Sequence, residues 1–414
     1  MAVPRFNVAQ ERANESLMAK RYSSVVGIDV GSHSIKVAEI RSQGGRPAIT
    51  ALGIIPTPMN TVDQTGILDP ENVGAAVRQA CAEGGAGIAE AILSLAGQQS
   101  ILVRTLEVPR MNETELRQHM DWEVQRNIPF SESDVEQDFK AYPASDAASQ
   151  NLDVVMAISP RSAVENGVGV IKKAGKKPIA LDVEPLAIAR VLATAYAGDI
   201  AGQSICVIEI GHRTTAINIY KDGQLMMPRQ VPMGGEMFTR EISERLGVSM
   251  DEAERLKIEE GEIPSGPAAP AYNPFDAGAT MAAYNPFADD AAPAAPEVTE
   301  ESAPVPAPAA GVGGDMRVYN AMAPALDELV AEIRRSVDYY RGKGGDVNRL
   351  FLTGGGSKLR GLAPFLGTAM GMNVEMLASM RGISVQPKAM DPNTAESMQA
   401  DFSVAVGNAL HIFF

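Results

Sequence analysis

The residues best suited to chemistry lie in one short stretch near the start of the chain, residues 25–40. An apolar run leads to Asp29, Gly31 opens a polar turn, and a second strand-like run follows. Gly31 allows a tight turn, so the N–H groups of residues 32–34 can point at one anion. Lys36 can contact a phosphate, and Asp29 can hold a hydrated Mg²⁺. An ordinary hairpin with a solvated tip explains this stretch equally well.

The same pattern recurs in the second half of the chain. Residues 203–211 form an apolar run that contains Glu209 and ends at Gly211, and another strand-like run begins at Thr215. A glycine turn at residues 354–356 follows a further apolar run. The repeated unit predicts an α/β protein with two related domains, in which two phosphate-binding turns face each other.

Composition limits the classes of function. The chain has 414 residues, of which 45% are hydrophobic, and this is enough for two or more domains. A net charge of −15 argues against a general nucleic-acid surface. The two cysteines and four histidines lack disulfide or metal-binding spacing, which is typical of a reduced, cytoplasmic protein. Because no apolar run reaches about 18 residues, we expect any membrane role to depend on a partner.

Other segments carry weaker signals. Residues 262–316 are rich in alanine and proline and are predicted to be disordered. The sequence Ala-Tyr-Asn-Pro-Phe occurs there twice, at 271–275 and 283–287, and both a docking motif and drift within a linker remain open. Trp122, the single tryptophan, is interpreted as an anchor in a core or at a subdomain joint. Residues 1–22 are interpreted as a loose tail or a partner contact.

In their order along the chain, these motifs resemble those of the actin-like ATPase superfamily. They are the first phosphate loop at residues 29–36, the first connecting helix at 183–192, the second phosphate loop at 209–215, the adenosine loop at 352–359 and the second connecting helix at 401–410. Within the superfamily, the chain is most similar to the PilM family of type IV pilus assembly proteins. That similarity rests on residues 108–116, 122–123, 127–130, 181–187 and 352–357.

The resemblance implies an actin-like ATPase fold, with two duplicated α/β domains around a nucleotide cleft and a 1C-type subdomain inserted in the first domain. It also implies a division of the chain. Residues 1–22 would be a tail, 23–101 and 179–203 subdomain 1A, 102–178 subdomain 1C, 204–240 and 345–414 subdomain 2A, and 241–344 subdomain 2B with the predicted disordered insertion.

The resemblance assigns roles in the cleft, with ATP and Mg²⁺ as the ligands. Asp29 and Glu209 would face the metal, and Glu184 would position the attacking water. The residues that would bind the nucleotide are Gly31, Ser32, Ser34, Lys36, Gly211, Thr215, Gly234, Gly235, Glu254, Lys257, Gly355, Gly356 and Lys358. The superfamily usually has aspartate where this chain has Glu209. The longer side chain shifts the metal geometry, so we expect slow hydrolysis or binding without turnover.

The family's function implies an ATP-binding scaffold that is cytoplasmic and peripherally associated with the inner membrane. Its partner would be a PilN-like membrane protein, whose cytoplasmic N-terminal tail docks near residues 101–130. Pilus motor ATPases and further copies of the chain are additional candidate partners. The alternatives are an FtsA-like division protein, which predicts a C-terminal amphipathic membrane helix, and a small-molecule kinase, which predicts a carboxylate base in a substrate pocket. The chain as given ends at Phe414, directly after the second connecting helix, which argues against the division protein.

Overall fold

The structure is a computed structural model that describes residues 22–127, 129–130, 134–142, 150–264 and 316–414. Most of the predicted tail and both copies of Ala-Tyr-Asn-Pro-Phe lie outside these residues. At the borders of the predicted insertion, Ile263 is buried in a hydrophobic core and a helix begins at Met316. The chain is therefore folded up to residue 264 and again from residue 316.

The described residues form fifteen strands and ten α-helices. The strands are β1 (Ser24–Val30), β2 (Ser34–Gln43), β3 (Arg46–Pro56), β4 (Glu90–Leu95), β5 (Leu102–Pro109), β6 (Val135–Ala141), β7 (Asn151–Pro160), β8 (Lys177–Val183), β9 (Ser204–Ile210), β10 (Thr215–Lys221), β11 (Gln224–Met227), β12 (Gln230–Val231), β13 (Arg349–Thr353), β14 (Val374–Met376) and β15 (Ser384–Val385). The helices are α1 (Pro70–Gly84), α2 (Glu113–Asn127), α3 (Arg161–Lys173), α4 (Glu184–Ala195), α5 (Gly235–Leu246), α6 (Met250–Glu259), α7 (Met316–Gly342), α8 (Leu362–Met370), α9 (Pro392–Ser397) and α10 (Ser403–Ala409). None of the helices in this described part has the length and apolar character needed to cross a bilayer.

The first half of the chain folds around a six-stranded sheet with the order β15-β3-β2-β1-β4-β8. β1 and β2 form the predicted antiparallel hairpin, and β4 lies parallel to β1 on its other side. Successive residues of β1 point to opposite faces of the sheet. Val26 and Ile28 pack with α1 and α3, whereas Val25 belongs to the core that contains α4 and α10. Helices cover both faces, which explains the continuous apolar runs in the sequence.

The second half repeats this arrangement. Its sheet has the order β11-β10-β9-β13-β14, with β12 beside β10. β9 and β10 form an antiparallel hairpin, and β13 lies parallel to β9 as β4 does to β1. The long helix α7 supplies Leu326, Leu329 and Ile333 to the core on one face of this sheet. The predicted duplication of an α/β unit is confirmed.

Two helices, α4 and α10, cross where the domains meet, and glycines allow the close approach. A Cβ atom on Gly407 would lie 2.2 Å from the carbonyl oxygen of Ala187 in α4. A Cβ atom on Gly27 of β1 would lie 2.0 Å from the carbonyl oxygen of Ala405 in α10. Neither position has room for a side chain, because backbone on the other side is already in contact.

A buried charged network joins the same two segments. Arg190 of α4 is fully buried, and its guanidinium lies 2.7 Å from the carboxylate of Asp182. Nδ1 of His411, just after α10, lies 2.8 Å from the same carboxylate. Burial opposes ionisation of Asp182, but Arg190 and His411 together outweigh it and hold its pKa below the usual value. The connecting segments are therefore held together by charge as well as by packing.

The chain between β4 and β8 adds a small sheet with the order β5-β7-β6, covered by α2. α2 buries Leu116, Met120 and Val124 against this sheet. Trp122 lies on the other side of the helix and is 51% exposed, so the prediction of a core or joint anchor is wrong. The 3.6-residue period that places those three residues inside turns position 122 outward. The guanidinium of Arg126 stacks 4.4 Å from the centre of the indole ring.

The small sheet contacts both domains through different elements. α3 follows β7 but packs against α1, and its Val170 is buried in the core of the first sheet. The hydroxyl of Thr105 in β5 donates to the carbonyl oxygen of Met226 in β11 at 2.6 Å. The N–H of Leu225 donates to the hydroxyl of Tyr142 at 3.2 Å. The inserted segment is therefore attached to the hairpin that follows the second phosphate loop. The sequence analysis did not predict β6, because its polar sequence hides the strand alternation.

Candidate functional site

A cavity of about 660 Å³ opens between the two large sheets, at the carboxyl ends of β1 and β9. The turns after both strands line it, together with parts of α5, α6 and the glycine turn after β13. The predicted residues on its wall are Asp29, Gly31, Ser32, Ser34, Lys36, Glu184, Glu209, Gly211, Gly235, Glu254, Lys257, Gly355, Gly356 and Lys358. Segments that are far apart in the sequence thus meet around one concave site.

The first phosphate loop presents a fixed cation to the cavity. The hydroxyl of Thr57 donates to the carbonyl oxygen of Gly31 at 2.6 Å and holds the turn. Asp29 and Lys36 face each other in the β1–β2 ladder, and Nζ lies 3.1 Å from the carboxylate. Burial works against the charge of Lys36, but Asp29 and more distant carboxylates outweigh it and raise its pKa. Lys36 is therefore charged at neutral pH.

A pair of glutamates faces this cation. Glu209 lies near the end of β9 and Glu184 begins α4, and both side chains line the cavity. Oε2 of Glu209 is buried and has no hydrogen-bond donor around it. Burial, and then the charge of Glu184, raises the pKa of Glu209 well above its usual value, and burial also raises that of Glu184. A proton shared between the two carboxyl groups avoids two adjacent negative charges.

Two predicted residues lie outside the cavity wall. Thr215 is fully buried, and its hydroxyl donates to the carbonyl oxygen of Met233 at 2.7 Å, whereas its neighbour Thr214 lines the cavity. Gly234 lies behind the second loop, where a Cβ atom would be 2.6 Å from the carbonyl oxygen of His212. Thr215 therefore supports the loop from within the fold, and Gly234 lets α5 approach it closely.

An ion pair on α6 faces the cavity and is held by hydrogen bonds to α5. Nζ of Lys257 lies 2.7 Å from the carboxylate of Glu254 and donates to the carbonyl oxygen of Gly235 at 3.1 Å. The hydroxyl of Thr239 donates to Glu254 at 2.6 Å. Burial opposes ionisation of Glu254, but its bonds to Lys257 and Thr239 hold its pKa below the usual value. The ionised carboxylate of Glu254 can accept hydrogen bonds from the hydroxyl groups of a sugar, and Lys257 can donate to their oxygens.

The glycine turn after β13 exposes backbone on which a flat ring can lie. Gly354 has a φ of +82°, and a Cβ atom there would lie 2.5 Å from the carbonyl oxygen of Ile210, so the turn lies directly against β9. Nζ of Lys358 forms a 2.8 Å ion pair with Asp401, just before α10. The turn is thereby attached to both the second sheet and the second connecting helix.

The metal-ligating oxygens in the cavity fit a hydrated Mg²⁺ better than a metal ion whose ligands all come from the protein. Asp29 and Glu209 offer carboxylate oxygens, which Mg²⁺ prefers, and Oε2 of Glu209 is the buried oxygen that lacks a donor. Within the residues that the structure describes, no three His, Cys, Asp or Glu side chains converge as a metal site. Mg²⁺ commonly keeps several waters and takes its other ligands from phosphates, so two carboxylates suffice.

The sequence matches the family model described as "Type IV pilus assembly protein PilM" over residues 27–283, more than half of the chain. The chain belongs to this PilM family. A second model, "Cell division protein FtsA", matches residues 206–407. The PilM match includes both phosphate loops and the inserted sheet, whereas the FtsA match is confined to the second half of the chain.

Similar structures and curated proteins agree with this assignment. The solved "PilM-PilN type IV pilus biogenesis complex" has a TM-score of 0.75 at 24% identity, over 95% of this chain and 99% of that chain. The ethanolamine utilization protein EutJ from Carboxydothermus hydrogenoformans has a TM-score of 0.50 at 14% identity, over 94% and 89%. FtsA of Neisseria meningitidis serogroup B is 33% identical over 100 residues, which are 24% of this chain and 23% of FtsA. The chain thus spans about a quarter of the curated relative, and the structural similarity confirms the predicted actin-like ATPase fold.

Sequence reasoning missed several residues of the cavity. His33 and His212 lie at the tips of the two phosphate loops, and their ring centroids are 5.0 Å apart. Asp63 and Phe238 also line the cavity, and Asp401 borders it through Lys358. The histidines lie inside the predicted loops, so their residue type was an available signal. Asp63 lies in a loop between β3 and α1 that has no recognisable motif.

Proposed function

We propose that this chain is an ATP-binding scaffold of the inner-membrane platform that assembles type IV pili or a related secretion machine. It docks the cytoplasmic N-terminal tail of a PilN-like membrane protein and is thereby cytoplasmic and peripheral to the inner membrane. The PilM family match over residues 27–283 is the observation that carries the proposal. The similarity of its fold to the PilM-PilN complex along nearly the whole chain supports it.

The cavity supplies the nucleotide part of the proposal. Gly31, Ser32, Ser34 and Lys36 hold the phosphates from the first domain, and Gly211 with Thr214 holds them from the second. Adenosine lies between the Glu254–Lys257 ion pair of α6 and the glycine turn, against Gly355, Gly356 and Lys358. Asp29 and Glu209 would hold a hydrated Mg²⁺. The ion supplies charge neutralisation of the phosphates when it is bound.

Turnover is slow at most, because of the state of the two glutamates. Glu184 is the residue proposed to position water, yet it lies beside Glu209 with a raised pKa. A carboxyl group that holds a proton is a poor acceptor for a proton from water. A further cation in the cleft, beyond Lys36, would favour ionisation of the pair. This supports a protein whose function depends on the binding of ATP more than on its hydrolysis.

The partner surface lies on the inserted sheet. We propose that β5, β6, β7 and α2 form subdomain 1C and that the tail of the PilN-like protein contacts residues 101–130. The exposed Trp122, with Arg126 stacked on it, offers a large apolar surface on this segment. The hydrogen bonds of Thr105 and Tyr142 with β11 connect the same subdomain to the β10–β11 hairpin, which follows the second phosphate loop. Nucleotide binding and partner docking are therefore coupled.

The test is calorimetric titration of the protein with a peptide that copies the cytoplasmic tail of the PilN-like protein of the same organism, with and without Mg·ATP. We expect saturable binding that ATP strengthens, because linkage makes the coupling reciprocal. Asp29→Ala should abolish the effect of ATP while leaving peptide binding to the free protein. ATP binding without any peptide binding would reject the scaffold, and unchanged ATP affinity in Asp29→Ala would reject the nucleotide site.

The second candidate function is that of an FtsA-like division protein. The FtsA model match over residues 206–407 and the 33% identity to FtsA of Neisseria meningitidis favour it. The FtsA model match begins at residue 206, so it carries no information about the inserted sheet. A titration with ATP but no binding of the PilN-like peptide is the outcome that would favour this candidate.

A further inference from the structure

Two histidines meet across the cleft, one from each phosphate loop. His33 follows β1 and His212 follows β9, and their rings are 5.0 Å apart at an angle of 46°. Each loop tip is held by its own domain. The carbonyl oxygen of His33 accepts the N–H of Thr57 at 2.9 Å, and that of His212 accepts the N–H of Glu236 at 2.8 Å. The rings are thus placed by two independent scaffolds, and both line the cavity.

Charged groups of both signs lie around this pair of rings. Burial lowers the pKa of His212, Glu236 opposes that effect, and His33, Arg213 and Lys257 add to it. The carboxylate of Glu236 lies 3.6 Å from Nε2 of His212 and 3.3 Å from Nε of Arg213. From the first domain, the carboxylate of Asp63 interacts with Arg213. Glu236 therefore interacts with both His212 and Arg213, and a phosphate at the loop tips would compete with this carboxylate for Nε2 of His212.

We propose that His33 and His212 together bind the terminal phosphate of the nucleotide and make this cleft select ATP over ADP. The proposal rests on the proposed nucleotide site. A nucleotide whose adenosine lies against α6 and the glycine turn extends its phosphates toward the two loops, so the last phosphate reaches the loop tips. There both rings can donate a hydrogen bond, and an imidazolium next to a phosphate gives the stronger, charge-assisted kind. ADP lacks the phosphate that would contact both rings.

Selection for ATP should therefore depend on pH. Histidine changes its charge between about pH 5 and pH 8. In the free cleft, burial and neighbouring cations lower the pKa of His212 despite Glu236, and a phosphate beside the ring would favour its protonated form. ATP binding then takes up protons and ADP binding does not, so the preference for ATP increases as the pH falls.

The experiment compares ATP and ADP affinities by calorimetry for the full chain and for His33→Asn, His212→Asn and the double variant, at about pH 6 and about pH 8. Asparagine keeps one donor but cannot titrate. His33 is exposed and His212 is only partly buried, so these variants retain the core. The affinity for ADP is the internal control. Protonation of the phosphates of free ATP at a given pH is the same in every experiment, so it does not contribute to differences between variants.

In the unmodified chain, we expect the ratio of ATP affinity to ADP affinity to be on the order of tenfold higher at the lower pH. In the double variant, this ratio should be the same at both pH values. Titrations in two buffers of different ionisation enthalpy should show proton uptake with ATP only in the unmodified chain. If both nucleotides bind but the ratio and the proton uptake are the same in all variants, the histidine site is rejected and the nucleotide site stands. If neither nucleotide binds the unmodified chain at either pH, the proposed function and this site both fail.

Discussion

The buried ion pair between Arg190 and Asp182 gives the sharpest test of how the two connecting helices are held. The two side chains are 1% and 0% exposed, so the partner that remains after a substitution cannot be hydrated without opening the fold. Arg190→Met keeps much of the side-chain volume and removes the charge. Loss of one partner of a buried pair destabilises proteins by about 3–5 kcal/mol, and we expect this loss here.

Urea unfolding followed by circular dichroism measures the change in the free energy of unfolding. The control is Arg255→Met on α6, since Arg255 is 52% exposed and its ion pairs are at the surface. Surface pairs contribute about 1 kcal/mol or less, so the control should lose little stability. Adding Asp182→Asn to Arg190→Met should restore part of the loss, because the unpaired charge is then absent. A loss for Arg190→Met no larger than that of the control would refute the reasoning.

The pH dependence of the same variant provides a second check. In the unmodified chain the pKa of Asp182 is depressed, so its stabilising contribution is present above the unfolded value of about 3.9 and is lost as the pH falls through the folded value. Without Arg190, His411 is left to oppose the effect of burial, so the pKa of Asp182 should rise. The stability difference between the unmodified chain and Arg190→Met should therefore shrink as the pH falls. A difference that is constant with pH would contradict this electrostatic account.

Three further predictions concern single positions. Glu209→Gln should raise the melting temperature of the nucleotide-free protein at neutral pH, by the equivalent of about 1 kcal/mol or more. Because the pKa of Glu209 is raised in the folded state, its ionisation destabilises the fold at neutral pH, and this effect should be absent below about pH 4. Gly407→Ala should lower the melting temperature by the equivalent of about 1–3 kcal/mol, whereas Gly198→Ala, where a Cβ atom meets nothing within 4 Å, should change it little. Trp122→Ala should change the free energy of unfolding by about 0.5 kcal/mol or less yet weaken binding of the PilN-like tail, and a large loss of stability would show that Trp122 is a core residue.

Local sequence patterns were sufficient for the duplicated hairpins. An apolar run, an acid, a glycine and a second alternating run predict β1–β2 and β9–β10, because adjacent strands joined by a tight turn need no information from elsewhere in the chain. The same patterns located Asp29, Gly31, Lys36, Glu209 and Gly211 on the cavity wall, since the turns at the ends of such strands meet at one edge of the fold. The PilM resemblance added the order of the motifs and led to the fold that the structure has.

Other features depended on contacts between distant segments. β15 pairs with β3, and its Ser384 is opposite Ala48, a pairing that no local pattern contains. Trp122 was misplaced because a large apolar side chain suggests burial, whereas the face of α2 that is buried depends on where β5, β6 and β7 lie. The cavity wall includes Thr214, in the turn before β10, and excludes Thr215, the first residue of that strand. Successive residues point in opposite directions, and only the packed sheet decides which direction leads into the cavity.

The sequence by itself therefore determined the repeated supersecondary units, their order and the chemical character of the two loops. Only the tertiary structure decided which side chains face one another across the cleft: His33 with His212 and Glu184 with Glu209. The reason is physical. Strand and turn formation depends on neighbouring residues, whereas burial and electrostatic pairing depend on how two domains, built from separate parts of the chain, are packed around α4 and α10.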